Sequence, residues 1–188
     1  MSCLSVYPDN KPDDIILQTR EGAEISAELA KIGVSFERWK TQAPLPEDAD
    51  DEAVMQAYAA DIERLKDENG YRSVDVIRLD ASHPKKEELR NKFLSEHTHS
   101  EDEVRFFVEG SGVFYLRVDG KVYMTLCERG DLISVPTGAK HWFDMGPQPN
   151  LTCIRLFTSP DGWVADFTGD KIADDFPKYE GQSQGKAA

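Results

Sequence analysis

The chain of 188 residues is poor in cysteine, in histidine and in positive charge, and each shortage argues against a class of function. Its three cysteines, Cys3, Cys127 and Cys153, are odd in number and lack CxxC spacing. A disulfide framework is therefore not expected, and they read as reduced thiols, at least two of them inside predicted strands. Lys and Arg number 22 against 35 Asp and Glu, a formal net charge of -13. A surface this acidic repels phosphate backbones and anionic lipid, which argues against nucleic-acid and membrane partners. No apolar run approaches the roughly 18–20 residues that a membrane helix needs. The opening MSCLSVYPDNKPDD has neither the basic start nor the apolar stretch of a signal peptide, so a cytoplasmic location is expected. Any anionic ligand would need a strong local source of positive charge.

What is present divides the chain into two patterns. In AEISAELAKIG, apolar Ile25, Leu29 and Ile32 recur at helical spacing and Gly33 can stop the helix. In residues 48–70, Val54, Tyr58, Ile62 and Leu65 make one stripe, acids crowd the start where they suit the helix dipole, and Gly70 closes it. A third short helix is predicted from Pro84 to about Leu94. From about residue 103 the period becomes two, with strands at EVRFFVE, VFYLRV, KVYMTL, DLISVP, HWFDM, LTCIRLF and WVADF. Asp119-Gly120 between two of them is a strong hairpin signal, because a type I′ turn needs positive φ at both central positions. Short strands at regular spacing imply an antiparallel sandwich or barrel, with the N-terminal helices packed outside it. One domain is expected over 1–188: a helical and mixed part over 1–95, a barrel core over about 96–170, and a flexible tail over about 180–188.

Histidine is scarce but concentrated. Three of the four histidines, His97, His99 and His141, fall in the β-rich half, and Glu103 follows the first two closely. In an extended segment His97, His99, Glu103, Arg105 and Phe107 share parity and point to one face. Three imidazoles and a carboxylate suit Fe(II), Ni(II), Mn(II), Zn(II) or Cu(II), and leave two positions of an octahedral ion for a chelating ligand. The fourth histidine, His83, precedes a proline and reads as structural or exposed.

The glycines and proline around these residues make the chain resemble a cupin. His97, His99, Glu103 and Gly110 match the first cupin motif, G(X)5HXH(X)3,4E(X)6G. Gly130, Pro136, Gly138 and His141 match the second, G(X)5PXG(X)2H(X)3N. Asn91 replaces the opening glycine and Met145 the closing asparagine, neither at a ligand position. The implied fold is mainly β, a double-stranded β-helix or jelly-roll barrel. More narrowly, HTHSEDEVRFFVEGSGVFYLRV, LISVPTGAKHWFDMG and LTCIRLF with GW downstream resemble the acireductone dioxygenase family of methionine salvage.

That resemblance implies a monomeric enzyme holding one Fe(II) or Ni(II) ion on His97, His99, Glu103 and His141, with an acireductone and O2 as substrates. The substrate is 1,2-dihydroxy-3-keto-5-methylthiopentene. The Fe(II) form is expected to give formate and 2-keto-4-methylthiobutyrate, and the Ni(II) form formate, carbon monoxide and 3-methylthiopropionate. An enediol binds as an anion, and Arg105, on the face of Glu103, is the expected catalytic cation that holds a substrate oxygen; the alternative is a buried ion pair with a neighbouring acid. Arg155 is a second candidate of the same kind. Phe93, Phe107, Phe143 and Trp163 are candidates for the apolar pocket of the methylthio chain. Glu101 and Asp102 read as solvated or as supports of the site. Because fold does not fix function, another cupin dioxygenase or isomerase, or a cupin that binds without turnover, remains the alternative.

Overall fold

The computed structural model describes residues 1–40, 45–46, 49–159 and 164–181. In chain order the elements are β1 (Cys3–Pro8), β2 (Leu17–Thr19), α1 (Gly22–Ala30), β3 (Ser35–Arg38), α2 (Asp51–Ala57), α3 (Ala59–Asn69), β4 (Ser73–Leu79) and α4 (Lys86–Phe93). There follow β5 (His97–Thr98), β6 (Glu103–Val118), β7 (Lys121–Glu128), β8 (Asp131–Val135), β9 (Lys140–Asp144), β10 (Leu151–Phe157), β11 (Asp166–Phe167) and α5 (Ile172–Asp175). Among the described residues no helix is long and apolar enough to cross a membrane.

Two antiparallel layers share one long strand. The first runs β11-β5-β9-β6-β7-β1-β2, and the second runs β4-β10-β6-β8-β3. The N-terminal half of β6 pairs with β8 and β10, and its C-terminal half with β7 and β9. EVRFFVE and VFYLRV, expected as separate strands, are thus one strand that passes from layer to layer. The hinge is Gly110, at φ 72, where a Cβ would lie 1.6 Å from the Asn150 carbonyl oxygen. Only glycine offers both that backbone angle and that approach. The Asp119-Gly120 turn has the expected positive φ values, 50 and 72. This is the jelly-roll barrel of a cupin.

Alternation along β6 explains why its sequence is apolar on both faces. Val104, Phe106 and Val108 turn outward into a cluster with Val54, Tyr58, Ile62 and Leu65 of the helical region. Phe107 and, beyond the hinge, Phe114 turn inward into the barrel core, where Ile25 and Leu29 of α1 also pack. Each fully buried side chain of this size contributes about 1.5–3 kcal/mol by leaving water. The helix expected over 48–70 is two helices, because Tyr58 leaves helical geometry at φ -112 and ψ 16. Its ring is 4.7 Å from Phe106 and 6.5 Å from Trp39, so aromatic packing on the sheet outweighs one helical turn. Asp50 caps α2 by accepting from the Ala53 N–H, and left-handed Gly70 ends α3.

The N-terminal part is more than helices. β1, β2, β3 and β4 extend the two layers, and β1 pairs with β7 over six residues. Of the strand expected at WVADF only Asp166–Phe167 is extended, and Trp163 lies outside the described residues, as does 182–188 of the tail.

Candidate metal centre

Three strands and the segment that follows β5 deliver four side chains to one point: His99 lies just past the end of β5. β5 and β9 pair with His97 directly opposite His141. Glu103 begins β6, opposite Val135 of β8. The loops between them are tied together: Gly138 N–H donates to the His99 carbonyl at 3.0 Å, and Thr137 N–H donates to Asp102 Oδ1 at 2.9 Å. Asp102 therefore holds the turn that precedes His141. Glu101 likewise accepts from the Thr158 and Ser159 backbone N–H groups, so both acids position loops around the site.

The donor atoms of His97, His99, Glu103 and His141 all lie within 4.8 Å of one another. Each imidazole turns Nδ1 toward a backbone carbonyl: Ser95 at 2.7 Å for His97, Val164 at 2.9 Å for His99, Ala139 at 2.9 Å for His141. A carbonyl can only accept, so each Nδ1 carries a proton and each ring turns Nε2 inward, where a neutral imidazole offers a lone pair. The Nε2 atoms of His99 and His141 both stand 3.0 Å from Glu103 Oε2. With neutral rings that contact sets lone pair against lone pair, an arrangement that a cation between the donors would satisfy. Metal–ligand bonds of about 2.1 Å place adjacent donors of an octahedron ~3.0 Å apart, the spacing of His99 and His141 from Glu103.

Charge in the cluster follows from burial. Desolvation, followed by the neighbouring His141, lowers the pKa of His97 to about 4. For His99 burial acts in the same direction, but the Glu103 carboxylate outweighs it and raises the pKa. Glu103 is itself buried, which alone would raise its pKa; the Arg105 guanidinium, with the two histidines, holds it well below the carboxylate range. Arg105 Nη2 donates to Glu103 Oε1 at 2.6 Å, leaving Oε2 to face the imidazoles. The ion pair weighed for Arg105 thus exists, and its partner is the candidate ligand.

A cavity of about 190 Å³ opens on this cluster. Of the residues expected there, Phe93, Phe143, Arg105 and Arg155 line it together with His97, His99 and Glu103. Arg155 is also clamped by Asp75, at 2.9 and 2.6 Å, directly across the β10–β4 register. Phe107 is fully buried in the barrel core and is not among the lining residues. Sequence reasoning missed Ile77 and Leu79 of β4, Lys92 of α4, and Ala165 and Phe167. Ile77 and Leu79 are of no chemistry-bearing type, and pairing of β4 with β10 brings them to the site. Phe167 lies in a predicted strand, but its contact with His97, 5.8 Å between rings, depends on β11 pairing with β5.

A jelly-roll barrel with a buried His-x-His, a following glutamate and a third histidine on a later strand defines a metal-binding cupin. A sequence model described as the ARD/ARD′ family matches residues 4–165, and the chain belongs to that family. It is 59% identical over 184 residues to the acireductone dioxygenase of Parvibaculum lavamentivorans, covering 98% of this chain and 100% of the relative. With the acireductone dioxygenase of Aquifex aeolicus identity is 55% over 180 residues, covering 96% and 97%. Among solved structures, an acireductone dioxygenase from Bacillus anthracis with a cadmium ion in its active centre superposes with a TM-score of 0.77. Identity there is 29%, covering 89% of this chain and 98% of that one. The protein is accordingly a metal-dependent dioxygenase.

Proposed function

We propose that the protein cleaves 1,2-dihydroxy-3-keto-5-methylthiopentene with O2, as an enzyme of methionine salvage. The reading assigns one Fe(II) or Ni(II) ion per chain, formate and 2-keto-4-methylthiobutyrate as products with iron, and formate, carbon monoxide and 3-methylthiopropionate with nickel. It treats the chain as a single domain, monomeric and cytoplasmic. The observation that carries it is the convergence of three imidazoles and Glu103, of which His97, His99 and Glu103 line a small cavity together with cationic, aromatic and aliphatic side chains. The donor set mixes imidazole and carboxylate, which suits both metals.

Bound in this cluster, a divalent ion would act as Lewis acid and template for a chelating enediolate. The chain's own residues do the rest. Arg105 places its guanidinium in the cavity wall beside Glu103, where its positive charge would compensate that of an anionic substrate oxygen. Its plane is fixed by Phe143, whose ring centroid lies 4.5 Å away, and by Phe114 at 5.3 Å. Arg155, held by Asp75, adds a second cation to a cavity inside an otherwise acidic protein. Phe93, Phe143, Ile77 and Leu79 offer apolar surface for the methylthio chain and keep water from that side.

The test is to remove bound metal, reload separately with Fe(II) and Ni(II), and supply the acireductone under O2. Formate with both metals, and carbon monoxide with nickel alone, is the expected result. No oxygen uptake with either metal would sink the reading.

A further inference from the structure

Phe143 lines the substrate cavity, and where the tip of its ring meets β6 at Gly112 there is no side chain. Gly112 is fully interior to β6, paired with Cys127 of β7. A Cβ built on Gly112 would fall 2.3 Å from Phe143 Cζ and 2.6 Å from its Cε2. Non-bonded carbons approach to about 3.5–4.0 Å, so the ring occupies the place of a side chain. Gly112 is not needed for its backbone: unlike Gly110 it is outside the left-handed region, and alanine can adopt its φ.

We propose that Gly112 is a specificity-determining position for this active site, because the missing side chain lets the Phe143 ring recede against β6 and thereby sets the depth of the cavity. The inference rests on the substrate reading above and deepens it: the dimension it controls is the length of the substrate's apolar chain. The alternative places for the ring are blocked. Phe114 packs at 4.8 Å between centroids, Phe93 at 6.2 Å edge-on, and the Arg105 guanidinium at 4.5 Å. A methyl group on residue 112 therefore drives the ring toward the cavity of about 190 Å³ that it lines. Gly112 touches no reacting group, so it acts through Phe143 as a positioning residue.

The experiment compares wild type, Gly112→Ala, Phe143→Leu and the double variant, with two acireductones: the methylthio compound and one shortened to a methyl ketone. In Gly112→Ala the KM for the long substrate rises about tenfold, the scale of one misplaced methylene in an apolar pocket, while that for the short one changes less than twofold. Metal content stays at the wild-type level. The double variant recovers the long-chain KM, because leucine vacates the space the new methyl needs. Should Gly112→Ala fail to fold, Phe143→Leu alone carries the test through better acceptance of an ethylthio analogue relative to wild type. Equal effects on both chain lengths, or none, overturn the proposal. Wild-type inactivity on both acireductones overturns the substrate reading instead. In that case a crystal structure of Gly112→Ala decides the steric point, and a Phe143 ring in its present place refutes it.

Discussion

Arg105 and Glu103 lie two residues apart on one face of β6 and form a buried ion pair, Nη2 to Oε1 at 2.6 Å, with both side chains under a tenth exposed. One carboxylate oxygen is thereby assigned to a guanidinium and the other to the imidazole cluster. The pair links the candidate metal position to the cavity wall through a single side chain. Removing either partner strands a buried charge, which is costly in a low-dielectric site.

Arg105→Met keeps an apolar stem over Phe143 but removes the fork. Metal affinity or turnover should fall about 10- to 100-fold, as for loss of a group that orients a ligand. Arg105→Lys should fall between the two, because an ammonium keeps the charge without the planar geometry that Phe143 and Glu103 share. Metal titration alongside steady-state kinetics measures both.

His97→Ala, His99→Ala, His141→Ala and Glu103→Gln should each leave the purified protein with far less bound metal by elemental analysis. Chelator treatment should lower the melting temperature of the wild type, since a ligand that binds only the native state stabilises it. The same treatment should leave the melting temperature of His141→Ala unchanged.

Asp144 sits three residues past His141, is fully buried, and accepts from Arg90 at 2.7 and 3.0 Å as well as from the Gly146 and Tyr179 N–H groups. It binds α4, β9 and the C-terminal segment together. Asp144→Ala leaves Arg90 and two N–H groups without that carboxylate and should cost about 3–5 kcal/mol, the usual penalty for breaking a buried pair. Equilibrium denaturation with urea reads it as a lower midpoint.

Cys127 and Cys153 are fully buried, and desolvation pushes both thiols up, Cys153 to about 12. A raised pKa leaves little thiolate near neutrality, so both should resist alkylation in the native protein. Iodoacetamide followed by mass spectrometry should find label on Cys3 alone under native conditions and on all three cysteines in denaturant.

Much of the site was legible in residue types and spacing, and the limits have physical reasons. His97, His99 and Glu103 are close in sequence, and the glycines and proline at motif spacing announce the turns that aim them. Phe93, Phe143 and Arg155 line the cavity beside them. Phe107 shares parity with Arg105 yet goes to the core, because depth along a strand is not encoded in parity. The helical stripe Val54, Tyr58, Ile62 and Leu65 is buried as its period implies, but the break at Tyr58 comes from aromatic neighbours far away in sequence. Similarly, β1 to β4 carry weak alternation, and their strand character is conferred by the barrel strands they pair with.

By itself the sequence determined the donor set, the hairpin at Asp119-Gly120 and the β-rich core, because those depend on side-chain chemistry, local backbone preference and short-range periodicity. Only the tertiary structure decided that His141 lies opposite His97, that Val164 orients His99, and that Phe143 rests where Gly112 has no side chain. Those relationships join residues dozens of positions apart. They are set by strand register and close packing, which no local stretch of chain contains.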